Sequence, residues 1–85
     1  MGASHDDLAR GEGKVLEDRH IALSRDEQGD LHAVSSVCTH VGCEVEWNGA
    51  DRTWDCPCHG SRFSPTGKVL RGPAMSPLAP TDIPE

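Results

Sequence analysis

Large aromatic side chains are scarce in this sequence. Its 85 residues include one Phe, two Trp and no Tyr, and only 35% of the residues are hydrophobic. A chain of this length forms one domain whose core alone gives marginal stability, because a short chain buries a small share of its surface. We therefore expect a metal site or a disulfide to stabilise the fold, as is common in domains of this size.

Long apolar runs and an excess of positive charge are also missing. No apolar run approaches the roughly 18 residues of a membrane-spanning helix, and the N-terminus has no apolar core of a secretory signal. The 14 acidic and 8 basic residues give a formal charge of −6, which argues against nucleic acid and anionic membranes as partners. We therefore expect a cytoplasmic protein, or a piece of a larger one, with no nucleic-acid partner and no membrane span.

Helical periodicity is absent, so no helix is predicted. Apolar and polar residues instead alternate over short segments that are separated by turn residues. Residues 20–37 and 44–55 are each typical of a hairpin, the second turning at Asn48-Gly49. A further turn at Pro65–Gly67 precedes a short strand, Lys68–Leu70. We expect an all-β fold of small antiparallel sheets.

Composition divides the chain into three parts. Residues 1–13 are polar, rich in glycine and without period, so we assign them to a linker or a tag-like N-terminus. The domain itself is expected at 14–80, and residues 81–85 are expected to form a C-terminal tail.

All four cysteines lie in two short motifs, CTHVGC at 38–43 and CPCHGS at 56–61. The predicted hairpin at 44–55 connects the motifs, and a hairpin brings its two ends together. Each motif offers one cysteine and one histidine at ligand spacing. These four residues are Cys38, His40, Cys56 and His59.

The residues alone leave open what this group binds. A structural Cys₂His₂ zinc site would use the same four residues, but it would leave Cys43, Cys58 and the GPA segment at 72–74 without a role. A scaffold of two disulfides would leave the histidines of both motifs unexplained.

The two motifs resemble the cluster-binding boxes of the Rieske [2Fe-2S] family. The segment Gly72–Ala74, ahead of Leu78, resembles the proline-containing third loop of that family, and the resemblance spans Lys14–Leu78. Details such as LHAVSSVCTHVGCEVEWN and GKVLRGPA are most similar to the C-terminal Rieske domains of FAD-dependent oxidoreductases. The resemblance implies the Rieske fold, with small stacked antiparallel sheets and a cluster-binding subdomain of two loops.

The resemblance also implies the ligands of the cluster. Cys38 and Cys56 would bind one iron, and His40 and His59 would bind the other. Two thiolates and two neutral imidazoles leave the oxidised centre neutral, so an added electron costs less Coulomb energy than on a four-thiolate centre. Such ligation accompanies reduction potentials of about −150 to +300 mV, against about −400 mV for plant-type ferredoxins.

The remaining cysteines, Cys43 and Cys58, match positions that form a disulfide between the two loops in the high-potential branch of the family. The resemblance further implies a set of residues that tune the cluster. Ser61 would donate a hydrogen bond to a bridging sulfide, which raises the potential, and two glycines would allow close backbone approach. With Pro73 of the third loop, the tuning residues are Ser61, Gly60, Gly42 and Pro73.

The predicted function is one-electron transfer through one [2Fe-2S] cluster per chain, as a module of a larger FAD-dependent oxidoreductase. The sequence has no nucleotide-binding glycine loop, flavin motif or mononuclear-iron triad, so no independent catalytic site is predicted. FAD is expected only in a partner or fused domain, and the expected partner is a redox protein or a fused flavoprotein domain. The alternatives are a free-standing Rieske ferredoxin for an oxygenase and a non-catalytic structural or redox-sensing iron–sulfur domain.

Overall fold

The computed structural model describes residues 8–39, 42–58 and 60–83. Within these ranges all regular structure is β, so the predicted all-β class is confirmed. The strands are β1 (Gly13–Leu16), β2 (Ile21–Arg25), β3 (Leu31–Ser35), β4 (Glu46–Asn48), β5 (Thr53–Asp55), β6 (Arg62–Phe63) and β7 (Val69–Arg71). They form two antiparallel sheets, ordered β1-β2-β3 and β4-β5-β6-β7.

The first predicted hairpin is confirmed as β2 and β3. Its turn is built on Asp26, whose carboxylate Oδ1 accepts hydrogen bonds from the backbone N–H groups of Gln28 and Asp30, each at 2.9 Å. Gly29 has a φ of 92°, in the region where a side chain would be strained. The hairpin therefore follows from turn residues that can be recognised in the sequence.

The second predicted hairpin is confirmed as β4 and β5, with Trp47 opposite Trp54 in the register. The two rings meet edge to face with centroids 4.8 Å apart. The turn is longer than the two-residue turn that Asn-Gly favours. Asn48 Oδ1 accepts from the N–H groups of Ala50 and Asp51, and the residue with positive φ is Arg52, at 57°.

The third turn lies where it is predicted, but the strand after it begins one residue later than expected. Gly67 has a φ of 96°. Lys68 belongs to the turn, because its carbonyl accepts from Ser64 N–H and its own N–H donates to Ser64 Oγ. Strand β7 therefore spans Val69–Arg71 rather than Lys68–Leu70.

Residues 8–13 differ from the linker that composition predicts for 1–13. Leu8 is buried against Leu23 of β2. The backbone continues the pairing with β2, since Gly11 N–H donates to the Arg25 carbonyl and Arg25 N–H donates to the Glu12 carbonyl. Leu8 is the only large apolar residue of this segment, and one such residue shows no periodicity from which this packing could be predicted.

The main core lies between the two sheets and reaches the two cysteine motifs. Its largest fully buried side chains are Trp54, Phe63, Leu78 and Val45, and they cluster with Cys38 and Cys56. The cysteines at the first position of each motif are thus part of the core. None of the described segments contains a helix of the length and apolarity needed to cross a bilayer.

Candidate metal centre

The first motif forms a loop, called loop A (38–43), that follows β3. Cys38 N–H donates to the Cys43 carbonyl at 2.7 Å, and Gly42 N–H donates to the Cys38 carbonyl at 3.0 Å. An isolated bridge between Val37 and Glu44 closes its base. Backbone hydrogen bonds and antiparallel pairing therefore close the base of loop A, of which residues 38–39 and 42–43 are described.

The second motif forms loop B (56–61), which connects β5 to β6. Cys56 N–H donates to the Ser61 carbonyl at 2.8 Å, and Gly60 N–H donates to the Cys56 carbonyl at 3.0 Å. The hydrogen bonds connect the same loop positions as in loop A, namely the first with the sixth and the fifth with the first. The strand pair Asp55–Arg62 closes its base.

The glycine at the fifth position of each loop, Gly42 or Gly60, has a φ of 81°. A Cβ added at either glycine would meet nothing within 4 Å. The structure therefore explains these glycines by backbone conformation. Their own N–H groups donate to carbonyls, so they are not aimed at a bound group, and close backbone approach remains a prediction.

The four cysteines divide into two kinds. Cys38 and Cys56 are free thiols, each 2% exposed. Cys43 and Cys58 form the expected disulfide between loop A and loop B, with Cα atoms 6.5 Å apart. Free thiols therefore stand only at the first position of each loop.

The two predicted histidine ligands, His40 and His59, lie outside the described residues. Their assignment as iron ligands stays a prediction. The described parts of the two loops are joined by the disulfide between Cys43 and Cys58.

A third segment, Gly72–Leu78, packs against both loops. Ala74 N–H donates to Ser61 Oγ at 3.0 Å in the interior, and Thr39 Oγ1 donates to the Ser76 carbonyl at 2.6 Å at the surface. The predicted third loop with Pro73 therefore lies beside both motifs. Thr39 was missed by sequence reasoning, although a hydroxyl between the two predicted ligands of loop A was a visible signal.

The Ser61 hydroxyl fits the role of a donor to a bound inorganic sulfide. The side chain is fully buried, and its oxygen already accepts from Ala74 N–H. The hydroxyl hydrogen is then directed elsewhere, and a buried donor requires an acceptor. Two buried thiols and a buried hydroxyl donor are a suitable set for an iron–sulfur group.

A carboxylate flanks loop A. Glu44 Oε2 accepts from Ser36 Oγ at 2.6 Å and lies 3.0 Å from His20 Nδ1. The Ser36 hydrogen bond, followed by that with His20, lowers the pKa of Glu44 below its usual value of 4.5. This residue was also missed, because its partners are distant in sequence.

Comparisons with known proteins agree with the geometry. The sequence matches the family of the Rieske [2Fe-2S] domain over residues 2–82. It is 54% identical over 80 residues to the Rieske 2Fe-2S iron-sulfur protein YhfW of Bacillus subtilis (strain 168), which covers 92% of this chain and 16% of YhfW. It is 54% identical over 60 residues to cytochrome b6-f complex iron-sulfur subunit 1 of Nostoc sp. (strain PCC 7120 / SAG 25.82 / UTEX 2576), covering 71% of this chain and 34% of the subunit.

Among solved structures, the fold is similar to the cyanobacterial plasma membrane Rieske protein PetC3 from Synechocystis PCC 6803. The TM-score is 0.60 at 36% identity, over 76% of this chain and 77% of that chain. The chain spans well under half the length of the two relatives above. The family match nevertheless extends over nearly all of its residues, and the chain belongs to the Rieske [2Fe-2S] domain family.

Proposed function

We propose that this domain carries single electrons on a [2Fe-2S] cluster held between loop A and loop B. Cys38 and Cys56 bind one iron, and His40 and His59 bind the other. The observation that carries the proposal is the division of the cysteines. The disulfide occupies two of them, and the two free, buried thiols stand at equivalent positions of matching loops.

The residues around the two thiols form an environment suited to binding a charged cluster. When bound, the cluster accepts and releases one electron at a time. Cys38 and Cys56 are buried away from water. Because the dielectric constant is low there, thiolates at these positions would interact strongly with bound iron. Ser61 holds a hydroxyl donor in the interior, and the disulfide holds the two loops at a set separation.

Phe63 limits the reduction potential that is expected of the site. It stands two residues after Ser61, where the resemblance to the respiratory members of the family implies a tyrosine, and it is fully buried in the core cluster that contains Cys38 and Cys56. A phenyl ring has no hydrogen-bond donor. We therefore propose that the reduction potential of this domain lies below that of the respiratory complexes.

The domain is further proposed to act as a module of a larger oxidoreductase, with FAD in a fused or partner domain. The relation to YhfW supports this, because 92% of the present chain aligns with only 16% of that protein. A similar domain thus exists as a small part of a much longer chain. No catalytic role is assigned to the domain itself.

Elemental analysis and EPR test the cluster. Freshly isolated protein is expected to contain iron and acid-labile sulfide in equal amounts, and an EPR signal in the reduced state only. Cys56→Ser should abolish the signal, whereas Ser64→Ala, a change in the turn after β6, should leave it in place. Zinc without iron or sulfide in the wild-type protein would overturn the proposal.

A redox titration tests the histidine ligands. His59→Cys should lower the reduction potential, because a thiolate adds a negative charge that a neutral imidazole does not carry. His32→Gln is the matched control, since His32 pairs with Asp26 at the far hairpin. A potential that rises in His59→Cys contradicts the assignment.

Electron delivery tests the module. A reduced FAD-containing domain of an amine or amino-acid oxidoreductase, added in trans, is expected to reduce the cluster in stopped-flow mixing. A ferredoxin reductase serves as the comparison, because rapid turnover with that enzyme alone favours the free-standing ferredoxin. Absence of any transfer from the flavin domain would rule out the module.

A further inference from the structure

A free thiol lies beside the disulfide. The Sγ atoms of Cys43, Cys56 and Cys58 all lie within 4.8 Å of one another, and only the first and third are bonded. The sulfur of Cys38 is not part of this group. One thiol is thus positioned next to a bond that thiolates attack.

We propose that, in the chain without its cluster, Cys56 exchanges into this disulfide. Cys56 Sγ forms a bond to Cys43 Sγ while the bond from Cys43 to Cys58 breaks. The proton lost by Cys56 is balanced by the proton gained by Cys58. One disulfide is consumed and one is formed, so the step needs no oxidant and no reductant.

Cys56 is expected to bond to Cys43 rather than to Cys58, because only one residue separates Cys56 from Cys58. A bridge from Cys56 to Cys58 would close a ring across Pro57 alone, and the pyrrolidine ring holds φ near about −65°. A bridge from Cys56 to Cys43 joins the same two loops as the native bond does. The exchange therefore keeps loop A covalently tied to loop B.

The exchange can be detected because Cys56 and Cys58 differ in exposure to solvent. Cys56 is 2% exposed, whereas Cys58 lies at the exposed tip of loop B. The exchange moves the free thiol from the core to the surface. A thiol at the surface is accessible to alkylating reagents and to external disulfides.

The exchange competes with metal binding for one sulfur. Where Cys56 is an iron ligand, as proposed above, its sulfur would be bonded to iron and would not attack the disulfide, so a bound cluster would preserve the native pairing. Loss of the cluster releases the sulfur, and the rearranged chain then lacks one thiolate ligand. The exchange itself rests only on the three neighbouring sulfurs, so it stands apart from the electron-transfer function.

Peptide mapping tests the exchange on the full chain. The cluster is removed with a chelator under nitrogen and without thiol reductant, and samples taken over time are labelled with N-ethylmaleimide in denaturant at mildly acidic pH, where exchange is slow. Trypsin cleaves after Arg25, Arg52 and Arg62. Cys38 and Cys43 are then in one peptide and Cys56 and Cys58 in another, and fragment ions identify the labelled cysteine within each peptide.

The label is expected on Cys38 and Cys56 at the start. Most of the second label should move from Cys56 to Cys58 with time, at a rate that does not change on tenfold dilution. A label that stays on Cys56 overturns the proposal, and so does a rate that falls on dilution, which would mean exchange between molecules. A label that appears on Cys43 overturns the assigned pairing.

Two variants serve as controls. Cys56→Ser keeps the disulfide and removes the attacking thiol, so Cys58 should remain unlabelled throughout. The double variant Cys43→Ser/Cys58→Ser has no bond to exchange, so the label should stay on Cys38 and Cys56. Labelling of Cys58 in the Cys56→Ser chain would show a different attacking group and would overturn the proposal.

Discussion

The described parts of loop A and loop B have equivalent backbone hydrogen bonds and different side-chain contacts. In both, the first residue is a buried free cysteine, and the fifth is a glycine with a φ of 81°. The sixth residue differs. In loop A it is Cys43, which is bonded to the other loop, and in loop B it is Ser61, which holds the third segment through Ala74. A common backbone thus places the thiols, and the last position of each loop fastens it to a neighbour.

The residue after each loop also differs. Loop A is followed by Glu44, which is bound by Ser36 and His20. Loop B is followed by Arg62, which pairs with Asp51 and Asp55 of the neighbouring hairpin. Loop A is therefore flanked by a carboxylate and loop B by a guanidinium. The backbone pairing at the two bases is equivalent, whereas the residue that follows the loop is acidic after loop A and basic, paired with two carboxylates, after loop B.

Breaking the covalent contact should give the largest effect. Cys43→Ser/Cys58→Ser is expected to lower the free energy of unfolding by about 3 kcal/mol, because the bond links residues 15 apart in sequence and restricts the unfolded chain. Urea denaturation of the cluster-free proteins measures this as a lower midpoint. The double variant is used because a single substitution leaves an additional free thiol. An unchanged midpoint would mean that the loops are held together without the bond.

Removing the hydroxyl of Ser61 in loop B should have the next largest effect on stability. Ser61→Ala removes the acceptor of a buried N–H group, that of Ala74, and should cost about 1–3 kcal/mol. It should also lower the potential of the loaded protein, since the hydroxyl donor is lost. Thr39→Val is the matched change in loop A and should cost less, because its bond to Ser76 is exposed to water. Equal losses in the two variants would contradict the difference in burial.

The shared backbone itself can be tested with the two glycines. Gly42→Ala and Gly60→Ala should each cost about 1–2 kcal/mol, because both need the left-handed conformation and neither Cβ meets an obstacle. Gly67→Ala is a reference with a larger loss, since its Cβ would lie 2.7 Å from the Leu78 carbonyl oxygen. Clearly unequal losses at Gly42 and Gly60 in urea denaturation would show that the two loops are not equivalent.

The smallest effect concerns the charge beside loop A. The folded state lowers the pKa of Glu44, so the carboxylate stabilises the fold above its usual pKa of 4.5, and this contribution is lost as the pH falls through the lowered value. Glu44→Gln should therefore make stability depend less on pH in the acidic range. Asp26→Asn is the comparison at the far hairpin, where the pKa of Asp26 is lowered chiefly by its hydrogen bond with His32. An unaltered pH profile for Glu44→Gln, measured by urea midpoints, would exclude this contribution.

Much of the fold could be predicted because its signals are local. The hairpins follow from alternation and from turn residues a few positions apart, as at Asp26 and Gly29. The misses are contacts over long separations. Thr39 binds a carbonyl 37 residues away, and Glu44 binds a histidine 24 residues away. Leu8 is buried only because β2 and β3 provide a surface for it.

The sequence by itself determined which chemistry is available: two motifs, each with a cysteine and a histidine at ligand spacing, joined by a segment that must turn back. The family resemblance then named the disulfide, but spacing alone does not determine which two of the four cysteines are bonded. Only the tertiary structure decided which thiols are free and which are bonded, and that a free sulfur lies within 4.8 Å of the bonded pair. The physical reason is that bond formation depends on distances between atoms, which packing of the two sheets sets and sequence order does not.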